Sequence, residues 1–317
     1  MQAAELTRLL DSCLERLSLP PSARLRRGKV RDVVDLGTEL LITTTDRLSA
    51  FDRVLTTIPC KGEVLSTISL YWFKATSDII PNHVQEEISA RTIRAARCRV
   101  LPVEVVVRGY LTGSAWRDYQ KGETVSGIRL PPGMRFNQKF ERPLLTPSTK
   151  EPSGTHDRPV SRADILSGNL VDRATWERVE EASIALFRRG TEMAARQGLI
   201  LVDTKYEFGL QGDRLLLVDE IHTPDSSRYW RADTYERRFA QGASQQELDK
   251  EYLRQWLLAR GWMGEGLPPE IPEDVRVETA RKYIQAWEAI TGRAFVPGAL
   301  GQQEESSLVA SRLTPAT

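Results

Sequence analysis

The chain has 317 residues, 40% hydrophobic and 27% charged, a balance that can bury a core and excludes a disordered or fibrous protein. Its 44 Lys and Arg against 43 Asp and Glu leave no net field to draw nucleic acid or a membrane surface. Three cysteines and three histidines without metal-type spacing argue against a disulfide scaffold or a zinc site, and with neither a secretory signal nor a run of ~18–20 apolar residues a cytoplasmic location is expected.

Leu6, Leu9, Leu10, Cys13, Leu14 and Leu17 recur at helical spacing, predicting a short amphipathic helix over 3–17 that ends before Pro20-Pro21. From Val30 to about Val107 strand patterns take over in VRDVVDL, ELLITTT and RVLPVEVVVR, interrupted by one helical stretch at about 63–78. At the head of the first strand, Gly28, Lys29 and Arg31 offer backbone N–H groups and two alternating cations for phosphates, in a pattern that is not a Walker A loop. A basic strand end on the surface is the competing reading. The segment TTTDRLSAFD (43–52) collects hydroxyls and two acids, which suit a polar substrate or an ordinary turn equally. Arg108 ends the third strand pattern, and the glycine-flanked loop after it presents Thr112 and Ser114, either a phosphate cradle or a structural strand end.

Residues 109–160 are rich in Gly, Pro, Ser and Thr and are expected to be irregular and functional rather than filler. A helix follows over about 172–197, stopped at Gly198. Residues 202–219, VDTKYEFGLQGDRLLLVD, then read as a hairpin turning at Gly212-Asp213. Asp203, Lys205 and Glu207 stand at every second position and therefore share a face. A three-residue turn, Gly212 to Arg214, sets Glu207 directly opposite Asp219. Two carboxylates that close need a cation between them, and Mg²⁺ bound with phosphate oxygens suits the geometry. In TPDSSRYW, Asp225 or Ser226 could cap a helix, or Arg228 could join the carboxylates. Ser244 with Glu247 predicts a capping box for a helix ending at Gly261, another helix covers 273–291, and the polar tail from 302 is expected to fray. Strands, helix, strands, then helices indicate an α+β fold. The residues by themselves reach an enzyme for a magnesium–nucleotide and an anionic small molecule.

Leu101 to Ser114 and LVDTKYEFG (201–209) resemble the two signature segments of the phosphoribosylaminoimidazole-succinocarboxamide synthase (SAICAR synthetase) family. GKVRD, TDRLSAFD, TPSTKEPSGTHD and DEIHTPDSSRYW follow that family in type and order, over about 24–295. The resemblance implies an antiparallel β-rich ATP-binding lobe like a kinase small lobe (1–108) and a larger α/β lobe with C-terminal helices (109–317). It implies a purine-biosynthesis ligase joining L-aspartate to carboxyaminoimidazole ribotide with ATP and Mg²⁺, acting as a monomer or homodimer with no nucleic-acid or membrane partner. Gly28, Lys29 and Arg31 would face the ATP phosphates, Glu104 would lie by the adenine, and Glu207 and Asp219 would hold Mg²⁺. Arg108, Ser114 and Arg228 would hold the ribotide phosphate, with Ser49 and Asp52 also on the substrate side. Asp203 and Lys205 would be the catalytic pair, and Lys150, His156 and Asp157 would belong to a loop closing over the substrates. Two residues depart from the family pattern: Val34 stands where an aromatic residue is common, and His222 where an apolar one is common. A small-molecule kinase and a non-catalytic nucleotide sensor are the rival functions.

Overall fold

The computed structural model describes residues 1–51, 53–150, 157–248 and 251–313. In chain order it begins with α1 (Ala3–Arg8), a 3-10 turn (Leu10–Ser12), β1 (Leu25–Arg27), β2 (Arg31–Asp35), β3 (Glu39–Thr44), β4 (Arg47–Ala50), β5 (Arg53–Thr57), α2 (Lys61–Ala75), β6 (Val84–Glu87) and β7 (Thr92–Ala96). There follow β8 (Arg99–Tyr110), α3 (Gly113–Gln120), β9 (Lys139–Thr149), α4 (Arg162–Ser167), α5 (Arg173–Arg196), β10 (Leu199–Gln211), β11 (Arg214–Val218) and β12 (Ser227–Arg231). The last helices are α6 (Ala232–Ala240), α7 (Glu251–Leu258), α8 (Glu273–Thr291) and α9 (Gln302–Ala310). The fold is α+β, as expected, with antiparallel sheets. Among the described residues no helix is long and apolar enough to cross a membrane.

The chain divides into two compact units: Met1–Tyr71, His83–Arg97 and Asp249–Thr317 form the first, Trp72–Asn82 and Cys98–Leu248 the second. This differs from a cut at 108/109. That cut would fall inside the single strand β8, and α7, α8 and α9 belong with the N-terminal sheet.

The first unit carries a five-stranded antiparallel sheet, ordered β1-β2-β3-β7-β6, and a separate β4–β5 hairpin. Alternation along β2 buries Asp32 and Val34, and Val34 packs with Leu14, Leu17, Leu41 and Val309. The smaller side chain at 34 is buried against these neighbours and also borders a cavity lined by Arg24, Leu36 and Leu313. Of the tail from 302, expected to fray, residues Gln302–Ala310 form α9, with Glu305, Ser306 and Val309 buried. Asp46 is a buried structural hub, accepting from the N–H groups of Leu14 (2.7 Å) and Gly62 (2.8 Å) and pairing with Arg91 (2.7 Å). The acid at 46 in TTTDRLSAFD is therefore committed to the scaffold.

In the second unit the sheet runs β11-β10-β8-β9, with β12 also on β10. One sheet face, including Val103, Val105, Val107, Tyr206 and Phe208, is buried, and the apolar stripe of α5 packs on this sheet. The Asp172 side chain caps α5 by accepting from Thr175 N–H (2.9 Å). The region expected to be irregular, 109–160, contains α3 and the 11-residue strand β9. Pro143 and Pro147 disguise β9 as a loop, but it is an edge strand, where proline is tolerated. Two predicted caps are also corrected. Ser226 precedes a strand, β12, and α7 starts only at Glu251. Residues 246–248 instead pair with β12 through Arg231 N–H to Gln246 O (3.1 Å) and Leu248 N–H to Tyr229 O (3.0 Å).

Candidate active site

The second sheet has one apolar face and one charged face, and strand alternation makes both from the same residues. Asp203, Lys205 and Glu207 of β10 pair with Arg108, Val106 and Glu104 of β8. Opposed residues of antiparallel strands share a face, so the sequence-predicted charges line up across two strands. On β9 the partners of Glu104, Val106 and Arg108 are Ser148, Thr146 and Leu144, and on β12 Arg228 stands beside Asp203. At about 3.3 Å per residue, Asp203 and Glu207 lie about 13 Å apart along β10. The face therefore has two ends.

At one end Asp203 lies between two guanidinium groups, Arg228 (3.2 Å) and Arg108 (3.7 Å). Arg108 donates to Thr146 Oγ1 (2.9 Å) and to Ser114 Oγ (3.2 Å), so β8, β9 and the start of α3 meet on one side chain. Burial lowers the Arg108 pKa from its ordinary value; Asp203 opposes the shift and Arg228 adds to it. Gly113 has φ +59°, and a Cβ there would stand 2.2 Å from the Arg228 guanidinium. Only glycine admits the arginine at this helix start. Two arginines, a serine hydroxyl and a helix N-terminus are the parts of a phosphate cradle. The structure thus assembles Arg108, Ser114, Arg228 and Asp203.

At the other end Glu207 and Glu104 oppose each other, and the Lys205 ammonium bridges them, 2.6 Å from Glu207 and 3.1 Å from Glu104. Lys150 also binds Glu207, and Ser148 donates to Glu104 (3.0 Å). Burial works against the Lys205 charge, but Glu207, Asp219 and Glu104 together outweigh it and raise its pKa well above the ordinary lysine value. Thr146 and Ser148 escaped the sequence reading. Their signal is the period-two run Thr146, Ser148, Lys150, which the intervening Pro147 obscures.

The register of the hairpin corrects one expectation. The turn has two residues, Gly212 and Asp213, with Gly212 at φ +59°, so Glu207 pairs with Val218 and not with Asp219. Glycine with positive φ at the first turn position matches the strand twist better than the three-residue loop assumed from sequence. A one-residue slip would send Asp219 to the opposite face. Instead β11 stops at Val218 and Asp219 takes a left-handed conformation, φ +69°, still close enough for its charge to act on Lys205.

Among the described residues no group of three or more His, Cys, Asp or Glu side chains forms a ready metal cage. Mg²⁺ usually takes one or two carboxylates and completes its shell with phosphate oxygens and water. Glu207 and Asp219 have the hard oxygen donors that such a shared site needs, and the lysines between the acids show a local demand for positive charge.

Gly28, Lys29 and Arg31 belong to the first unit, at the β1–β2 turn, where Gly28 N–H donates to Arg31 O (2.7 Å). The turn rests on Arg47, which donates to Lys29 O (3.0 Å) and Gly28 O (3.1 Å) and pairs with buried Asp32 (2.8 Å). Ser49 lies half-buried on β4, in the same unit. Asp52 and His156 lie outside the described residues. Lys150 and Asp157 flank 151–156, and the chain rejoins β9 directly through Thr149 N–H to Arg158 O (2.9 Å). His222, the second departure from the family pattern, is fully buried and hydrogen-bonded to Tyr206 Oη (2.6 Å).

A pleated face with a guanidinium-rich end and a lysine-bridged carboxylate end suits an enzyme acting on charged small molecules. Comparison with known proteins narrows this class. The SAICAR synthetase family model matches residues 24–266. A Legionella pneumophila (strain Lens) phosphoribosylaminoimidazole-succinocarboxamide synthase is 46% identical over 292 residues, covering 90% of this chain and 92% of the relative. The Bacteroides thetaiotaomicron synthase is 43% identical over 301 residues, covering 93% and 94%. The solved SAICAR synthase of Saccharomyces cerevisiae, complexed with SAICAR, superposes with a TM-score of 0.79 at 34% identity, covering 89% of this chain and 99% of that one. The chain belongs to the SAICAR synthetase family and is a ligase of purine biosynthesis.

Proposed function

We propose that the protein joins L-aspartate to carboxyaminoimidazole ribotide with ATP and Mg²⁺, giving SAICAR, ADP and phosphate. The observation that carries this reading is the two-ended charged face on β8, β10 and β12, in a chain of this family. Arg108, Ser114 and Arg228 hold the ribotide phosphate, and Ser49 and Asp52 contribute to the substrate side. Gly28, Lys29 and Arg31 take the ATP phosphates, and Glu104 lies on the nucleotide side. Glu207 and Asp219 hold Mg²⁺, which neutralises phosphate charge when bound. Lys150, His156 and Asp157 contribute to substrate binding, His156 from outside the described residues. The reactions run in a cytoplasmic setting.

A carboxylate does not condense with an amine in water until it is activated. The ribotide carboxylate oxygen attacks the γ-phosphorus and ADP leaves, giving an acyl phosphate. The aspartate amine then attacks the acyl carbon, phosphate leaves, and the amine surrenders a proton. Phosphoryl transfer of this kind depends on positioning and charge neutralisation, which Lys205 and the two arginines provide. Asp203 is the candidate base for the amine proton, a role that requires the substrate phosphate to draw Arg108 and Arg228 away from it.

The test is product analysis with ATP and ribotide, with and without aspartate. ADP and phosphate release that depends on aspartate and accompanies amide formation supports the ligase. A phosphorylated ribotide as the final product would convert the assignment to a kinase, and ATP binding with no turnover to a sensor.

A further inference from the structure

The family match ends at residue 266, yet α9 lies in the same unit as the Gly28–Arg31 turn. Between α1 and β1 the chain has backbone N–H groups that no helix or sheet satisfies, and α9 supplies their acceptors. Gln302 Oε1 accepts from Glu15 N–H (3.1 Å) and Arg16 N–H (3.4 Å), and Ser306 Oγ accepts from Ser18 N–H (3.0 Å). The next layer of bonds leads inward. Leu17 N–H donates to Asp32 Oδ2 (2.8 Å), and Arg47 donates to Glu15 O. Arg47, only 7% exposed, uses its remaining N–H groups on Asp32 and on the Gly28 and Lys29 carbonyls.

The other side of α9 is anchored as firmly. Glu305 Oε1 accepts from Ser89 Oγ (2.6 Å) and Thr92 Oγ1 (2.5 Å), tying the helix to β7. Val309 enters the core beside Leu14, Leu17 and Val34. A continuous set of bonds, exposed at Gln302 and buried at Asp32 and Thr92, therefore runs from β7 through α9, residues 15–18 and Arg47 to the turn carrying Lys29.

We propose that α9 is a positioning element for nucleotide. It fixes residues 15–18, which orient Arg47, and Arg47 holds the Gly28 and Lys29 carbonyls so that the turn keeps one conformation for polyphosphate. Preorganised binding groups lose less entropy when the ligand arrives. The inference rests on the assignment of Gly28, Lys29 and Arg31 to the ATP phosphates.

The test uses the full chain and a non-hydrolysable ATP analogue with Mg²⁺, titrated by calorimetry, beside KM for the ribotide. Gln302→Ala/Ser306→Ala is expected to raise the analogue Kd about five-fold, the equivalent of one lost hydrogen bond, while the ribotide KM stays put. Gln302→Glu keeps an acceptor oxygen and should bind like the parent. Val179→Ala, in the core of the second unit, is the stability control and should lower the melting temperature without weakening the analogue. If it weakens binding as much as the double variant, α9 contributes general stability only and the proposal fails. If Lys29→Ala weakens binding and the double variant does not, the positioning role falls while the phosphate assignment stands. If Lys29→Ala changes nothing, the phosphate assignment falls and takes the proposal with it.

Discussion

Lys205 sits where its removal should have a calculable and pH-dependent effect. In Lys205→Met a side chain of similar length remains, but the cation between Glu104 and Glu207 is gone. Opposed Cβ atoms stand about 5 Å apart on paired strands. Two charges at that separation repel by about 3 kcal/mol at an effective dielectric of about 20. Lys150 still faces Glu207 and offsets part of this, so a loss of about 2 kcal/mol near neutral pH is expected.

The pH course separates this account from simple loss of packing. In the parent the Lys205 pKa is raised on folding. Its contribution is complete below the unfolded value of about 10.4 and fades only as pH rises through the folded one, so it is constant from pH 5 to 9. In the variant the two carboxylates face each other without the lysine, and their repulsion acts only where both carry charge, so it is weakest at the acid end of the range. Thermal unfolding of parent and variant, scanned from pH 4.5 to 8 without nucleotide, should show a deficit that widens with pH. Adding Glu104→Gln to Lys205→Met should recover part of the loss. A deficit equal at every pH, or one deepened by Glu104→Gln, would refute the bridging account.

Three further outcomes are expected. Glu207→Gln or Asp219→Asn should fold normally and lose turnover, and near-parental rates at limiting Mg²⁺ would remove these residues from the metal site. Arg108→Ala should raise the ribotide KM or lower kcat with little change in ATP binding; a selective loss of ATP affinity would move Arg108 to the nucleotide. His222 has its pKa lowered by burial to about 3, so the folded state resists a proton that the unfolded state accepts, and stability falls as pH drops from about 6.5 toward 3. At pH 5 that cost is about 2 kcal/mol, so His222→Leu should be less stable than the parent at pH 8 through the lost Tyr206 bond, with the gap narrowing or reversing at pH 5; parallel curves would exclude the buried neutral imidazole as the cause.

The parts of the fold legible from sequence were those whose periodicity is strong and local. The helix at 273–291 and the charged face of β10 follow from spacing alone. What escaped depends on partners distant in sequence. β9 reads as a loop because its prolines are acceptable only once it is known to be an edge strand. Ser244 and Glu247 form a capping pattern, but pairing of residues 246–248 with β12 overrides it. α9 reads as a polar tail because its buried polar residues, Glu305 and Ser306, find partners on β7 and at Ser18.

The proposed metal pair, Glu207 and Asp219, shows how far turn length alone moves an acid. Sequence arithmetic placed Glu207 and Asp219 together through a wrong turn length; the structure gives a two-residue turn and a register one residue different. Strict alternation would then separate the two acids by the thickness of the sheet. Instead β11 ends at Val218 and Asp219 takes φ +69°, a conformation that aspartate tolerates better than most residues and from which its charge still acts on Lys205. The acid that does oppose Glu207 is Glu104, on the other neighbouring strand, with Lys205 between them. Charge convergence was therefore encoded twice, in the period of β10 and in the backbone break after β11. Only the first is visible without coordinates.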